Sequence, residues 1–202
     1  MFTITDDLAA ISGAIGSAVS LLAAIPYGLA IVRRTVRPHL FTWLIWALVT
    51  TIAAAGQFVA GAGPSAWCTA AIALTCILIF IASIYRGERS RTRADWFFLG
   101  AALSAIPLWL ATDDPALSIY LVTLIELAGL APTIRKTFSD PWGESLAYFA
   151  LCVVKYALAL LALRHWSLAV AFYPIVNVVA SLGICMLMVV QRYRLRSSGA
   201  IQ

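Results

Sequence analysis

Two charged side chains, Glu126 and Lys155, stand in the middle of long apolar stretches. Charge is costly in hydrocarbon and is kept there where it meets a partner, a solute or a proton path. Glu126 lies nine residues before Arg135, and Lys155 eleven after Glu144. At the rise of an α-helix these spacings are about 13 and about 16 Å, which puts both groups near mid-depth of a bilayer. On successive helices at matched depth they are expected to form an ion pair. As chemistry, the pair would act as a relay: protonating Glu126 frees Lys155 for an anionic solute, or the solute displaces the pair. The plainer reading is a structural clip between two spans.

Other polar groups fall at helical spacing around them. Tyr148, Cys152, Lys155 and Tyr156 share one face, as do Thr123 and Glu126, then Pro174, Asn177, Ser181 and Cys185, and finally Trp46, Thr50 and Gln57. Together they would edge a polar, aromatic cavity. Single Ser and Thr residues in membrane helices usually bond their own backbone, so Gln57 and Asn177, whose amides need several partners, are the better site candidates. Tyr156 and Trp46 complete the expected lining. Pro26, Pro132 and Pro174, with Pro107, interrupt helical hydrogen bonds and are candidate hinges.

The elements that must position these groups are spans. The chain has 202 residues, 62% of them hydrophobic and 11% charged, with a mean hydropathy of +0.93. Too few polar side chains exist to cover a soluble globule, so lipid is the expected solvent. Apolar stretches cover residues 8–32, 39–62, 64–85, 94–111, 116–134, 145–163 and 167–190. Most reach the roughly 20 residues needed to cross a bilayer. The first follows Asp6 and Asp7 instead of a basic segment and is too long for a cleaved signal, so it is read as a mature helix.

Twelve of the fourteen Lys and Arg residues fall in alternate connections: Arg33, Arg34 and Arg37, then Arg86, Arg89, Arg91 and Arg93, then Arg135 and Lys136, then Arg192, Arg194 and Arg196. The opposite side holds Arg164 with Asp6, Asp7, Asp113 and Asp114. The positive-inside rule puts the N-terminus outside and the C-terminus in the cytoplasm of a multi-pass cell (inner) membrane. The net charge of +5 is then a topology signal facing anionic lipid, with no nucleic-acid partner implied. Trp43, Trp67, Trp96, Trp142 and Trp166 lie near span ends and are expected in an interfacial belt. Ser12, Gly16, Ser20 and Ala24 form a small-residue stripe suited to close helix packing.

The exits of spans 1 and 5 are alike. Ile25-Pro26-Tyr27 leads to Arg33-Arg34-Thr35, and Ala131-Pro132-Thr133 leads to Arg135-Lys136-Thr137. A proline follows each (Pro38, Pro141), and a small hydroxyl residue (Thr42, Ser145) stands four residues beyond it. A parallel repeat of three helices needs an extra span between its copies, and span 4 supplies it. The expected architecture is therefore all-α and membrane-integral, with seven transmembrane helices in two parallel three-helix repeats (residues 1–92 and 113–196). A linker helix (93–112) joins them and a short tail (197–202) follows.

On these residues the chain resembles the SWEET and PQ-loop (MtN3-type) superfamily, over essentially its whole length. It reads Pro26-Tyr27 and Pro132-Thr133 where that family has Pro-Gln. Pro174, Asn177, Leu182-Gly183 and Gln191 are similar to the family's last helix, where an asparagine faces the central site. Aligning Tyr85 with Tyr193 makes Thr69 the first-half counterpart of Asn177. The resemblance implies a transporter that moves a small polar solute by alternating access through a midplane cavity. It extends also to KDEL-type cargo receptors, so a non-transporting seven-helix receptor is the rival reading. A second rival is an assembly or helper protein docking through the Ser12 to Ala24 stripe, which would have a sealed interior.

Enzyme motifs are lacking, and the two histidines, His39 and His165, fall at span ends. Cys68, Cys76, Cys152 and Cys185 have no metal-ligand spacing and read as small buried hydrophobes. The expectation is no enzyme activity, no cofactor and no metal. The expected partners are the bilayer and a small solute, and the chain is compatible with a homo-oligomer.

Overall fold

A computed structural model describes residues 6–34, 38, 40–87, 93–130, 134, 137–138, 141–142 and 146–197. Seven helices and no strand occur among them: α1 (Asp6–Val32), α2 (Leu40–Val59), α3 (Ser65–Arg86), α4 (Arg93–Thr112), α5 (Pro115–Ala128), α6 (Leu146–Leu161) and α7 (Leu168–Ser197). Four of them, α1, α2, α3 and α7, are long and apolar enough to cross a membrane. Of the others, α5 and α6 are apolar but shorter, and α4 is apolar over Trp96–Thr112. The all-helical architecture is compatible with a multi-pass membrane protein.

Local chemistry sets the helix ends. Asp6 and Asp7 occupy the first turn of α1, where the helix dipole favours acids. Asp114 caps α5 by accepting the Ala116 N–H at 2.8 Å, with Pro115 in the first turn. The fifth helix runs to Ala128, with Gly129 and Leu130 in a turn, and beyond it Ile134 N–H donates to Leu130 O at 2.9 Å. Gly129 is a poor helix former, and its N–H closes the last turn on Ile125. The seventh continues past residue 190 to Ser197 because Gln191 to Ser197 contains no Gly or Pro, and Arg194 and Arg196 suit a helix C-terminus.

The packing order is not the chain order. α3 lies against both α1 and α2, and α7 against both α5 and α6. Across these two groups α1 packs on α6, α2 on α5, α3 on α6 and α2 on α7, while α4 packs on α2 and α5. Exchanging α1 with α5, α2 with α6 and α3 with α7 turns every contact outside α4 into another contact of the same set.

Glycines make the crossings close. A Cβ on Gly16 would lie 2.6 Å from the Cys68 sulfur and 3.2 Å from Leu158 Cβ, so α1 meets α3 and α6 there. A Cβ on Gly56 would lie 2.8 Å from Ile119 Cγ1, at the equivalent meeting of α2 with α5. Ser12, Gly16 and Ser20 are buried. These three residues are thus spent on packing inside the molecule, whereas Ala24 is half-buried and lines the groove between α1 and α3.

At the aspartate-rich end the α2–α3 and α6–α7 turns are clasped together. Ser65 N–H donates to Ala162 O at 3.1 Å and Arg164 N–H to Ala62 O at 3.5 Å. Arg164 also pairs with Asp6 at 3.3 Å. Gly63, at φ +66°, lies under the Arg164 side chain, where a Cβ would come within 2.7 Å of it. Ala62, Ala66, Leu163, Val170 and Ala171 form an apolar plug beneath.

At the arginine-rich end, Arg86 donates to Val32 O at 2.9 Å and Arg192 to Pro141 O at 3.0 Å. Tyr27, Trp43 and Trp46 stack successively, with ring centroids 5.2 Å apart in each pair. Trp43 is buried in this ladder, which removes it from the expected interfacial belt. Trp67, Trp96, Trp142 and Trp166 are exposed, as a belt requires.

Candidate functional site

Glu126 of α5, Lys155 and Tyr156 of α6, and Asn177 of α7 are brought together in the interior, but not as the expected ion pair. Among the described residues no nitrogen–oxygen contact within 4.0 Å joins Glu126 to Lys155. The reason is topological: α7 lies between α5 and α6, so the two charges are not on adjacent helices.

Tyr173 of α7 fills the gap. Its hydroxyl donates to Glu126 Oε1 at 3.4 Å, and its ring meets Tyr156 edge-on with centroids 5.9 Å apart. Lys155 Nζ stands 4.9 Å from the centre of the Tyr156 ring, a cation–π contact that offers the ammonium no full neutralisation. Glu126 Oε2 is buried with no hydrogen-bond partner among the described residues. Lys155 is 7% exposed. Asn177 lies beside Glu126 and donates its amide to Tyr173 O at 3.1 Å. From the other half, Cys76 comes within reach of Glu126, Lys155 and the Thr50 hydroxyl.

Tyr173 is fully buried and central, yet sequence reasoning missed it. The available signal was its place four residues before Asn177, on the same helical face.

The remaining candidates lie outside this cluster. Trp46 stands at its edge, with Nε1 3.3 Å from where a Cβ would sit on Gly129. Thr69 is buried on α3, two turns from Cys76 on the same face. Pro26 lies within a helix that continues past it to Val32. Pro132, with Arg135 and Lys136, lies outside the described residues.

Gln57 is fully buried, and its Oε1 has no hydrogen-bond partner among the described residues. Pro174 has no N–H, so the carbonyl of Val170, four residues earlier, loses its helical donor. Gln57 Nε2 reaches from α2 to that oxygen at 3.4 Å, in a fully buried setting. The proline break in α7 is therefore bridged to α2. Gln57→Leu is expected to lower stability by about 1–3 kcal/mol by stranding the acceptor. Adding Pro174→Ala, which restores an N–H to Val170 O, is expected to recover most of the loss. Thermal unfolding of the two single variants and the double variant checks this; equal losses with and without Pro174→Ala would break the link.

Most hydroxyls bond their own helix, as with Ser20 to Gly16 O at 2.7 Å and Thr50 to Trp46 O at 2.7 Å. Ser118 instead ties α5 to Ala105 O of α4 at 2.8 Å. The four cysteines are free thiols.

Two of the clefts formed by the described residues lie away from the cluster. One, of about 340 Å³, lies at the aspartate-rich end among Phe58, Gly63, Trp67, Arg164 and His165. The other, of about 380 Å³, is an apolar groove between α1 and α3 around Leu21, Gly28 and Leu78. Neither is lined by Glu126 or Lys155. Along the interior face of α6, exposure rises from 1% at Ala159 and 5% at Tyr156 to 39% at Tyr148. Tyr148 is within electrostatic reach of Cys76, Cys152 and Glu126.

No family profile, curated protein or solved structure matches the chain.

Proposed function

We propose that the protein is a seven-span transporter that moves a small polar solute by alternating access. Its two three-helix halves, joined by α4, rock about the Glu126 and Lys155 cluster. The observation that carries this reading is the unjoined pair of charges, Lys155 buried and Glu126 with its Oε2 buried, beside a crossing of two helix groups whose contacts interchange under a twofold exchange. Repeats of this kind frame central solute sites in transporters.

The clasp supports a state closed at the aspartate-rich end, which is the outer end if the basic residues face the cytoplasm of the inner membrane. Glu126 and Lys155 bind and couple, Tyr173, Tyr156 and Asn177 line the site, and the clasp must part for the outward state. The closed packing around Lys155 also suits a non-transporting seven-helix receptor or helper, which would bind without moving solute.

Thermal unfolding of the purified protein with sugars, amino acids, vitamins and nucleosides identifies the solute class, and flux in proteoliposomes tests movement. Cysteines at Ser65 and Ala162, across the clasp hydrogen bond, then test the mechanism. Uptake is expected to stop when they are oxidised to a disulfide and to resume on reduction. Full uptake with the cross-link verified by mass spectrometry would show that the clasp does not gate.

A further inference from the structure

From the unjoined charges we infer that the solute is a zwitterion, a small molecule carrying a carboxylate and an ammonium a few bonds apart. The inference rests on the transporter reading and names the solute class of the same site.

Three features of the site carry it. Glu126 Oε2 is buried and, among the described residues, accepts no hydrogen bond within 3.5 Å, with the Asn177 side chain beside the carboxylate, while Oε1 receives one long bond from Tyr173. Lys155 is more than nine-tenths buried, and among the described residues no carboxylate lies within 4.0 Å of it; its ammonium rests on the face of Tyr156. Finally, α7 packs against both α5 and α6, and its Tyr173 contacts Glu126 through the hydroxyl and Tyr156 through the ring.

An ammonium has three donors and no acceptor, and a carboxylate has acceptors only. The vacant acceptor on Glu126 therefore suits a cationic donor, and the vacant donors of Lys155 suit an anion. A solute with one charge would neutralise one group and leave the other bare in a medium where bare charge is costly. A neutral polyol would hydrogen-bond to both and neutralise neither. A zwitterion lying along the Tyr156 and Tyr173 rings completes both contacts with charge-assisted bonds of about 2.7–2.9 Å. Its net charge is zero, so the total charge of the site does not change.

The test is thermal unfolding of the full-length protein in detergent with neutral α-amino acids, each beside its decarboxylated amine and its deaminated acid. Simple sugars form a fourth arm, and every compound that stabilises is taken to counterflow in proteoliposomes. The expected result is stabilisation by at least one amino acid and by neither of its two analogues. Glu126→Gln and Lys155→Met should lose that shift, while Glu126→Asp and Lys155→Arg should keep part of it. If sugars stabilise and exchange while no amino acid does, the zwitterion inference falls and the transporter reading stands. If an amino acid stabilises but does not exchange, the inference holds for a binding protein and the transporter reading falls. If an amine or acid alone stabilises as well as its parent amino acid, the site does not require both charges and the inference falls.

Discussion

Lys155→Met is expected to abolish solute uptake while leaving the ligand-free protein as stable as the parent, or more so. The two halves of this result have separate causes. Removing the charged partner of a bound ionic group costs about 2–5 kcal/mol, which is a loss of about 30-fold or more in affinity and takes uptake to background. In the ligand-free protein, however, Lys155 contributes only its stacking on Tyr156, and its burial is unfavourable. Were it clipped to Glu126, breaking the pair would cost about 3–5 kcal/mol. A melting temperature at or above the parent's, with no uptake, is the pattern of a ligand site; a large drop would restore the structural clip.

A second large effect is expected at Gly13. A Cβ there would stand 2.5 Å from Pro64 Cβ and 2.8 Å from Pro64 O, and neither the ring nor the backbone can turn aside. Pro64 also carries the start of α3 and borders the clasp, so pushing it away loosens the α1–α3 packing and the loop hydrogen bonds together. Gly13→Val is expected to cost about 1–3 kcal/mol or more by overpacking and to remove most folded protein from detergent extracts. Gly28→Ala, on the same helix with nothing within 4 Å of its added Cβ, should extract normally. Size-exclusion profiles of the two variants make the comparison; equal monodisperse peaks would show that the crossing tolerates the extra atoms.

The helices were largely legible because apolar runs and end residues report locally. Asp6 and Asp7 mark the start of α1, Asp114-Pro115 starts α5 and Gly87 ends α3. Placing Glu126, Lys155, Tyr156 and Asn177 in the interior was legible too, since polar groups in apolar helices turn inward. What sequence order could not give was neighbourhood. Treating α5 and α6 as adjacent led to an ion pair, and only the insertion of α7 shows why Tyr173 stands between the charges. The bond of Gln57 was hidden for a related reason. Its partner is a backbone carbonyl that Pro174 frees on a helix over a hundred residues away, a need that a pattern within α2 does not display. Trp43 looked interfacial by its position near a span end, but its ring packs between Tyr27 and Trp46.

The most direct measurement is counterflow in proteoliposomes loaded with the solute that stabilises the purified protein, with labelled solute outside. The parent protein is expected to accumulate label transiently, and Glu126→Gln, reconstituted to the same density, to stay at the level of empty liposomes. Stabilisation of the parent protein by a solute that it then fails to exchange would contradict a transporter and leave a membrane receptor in its place.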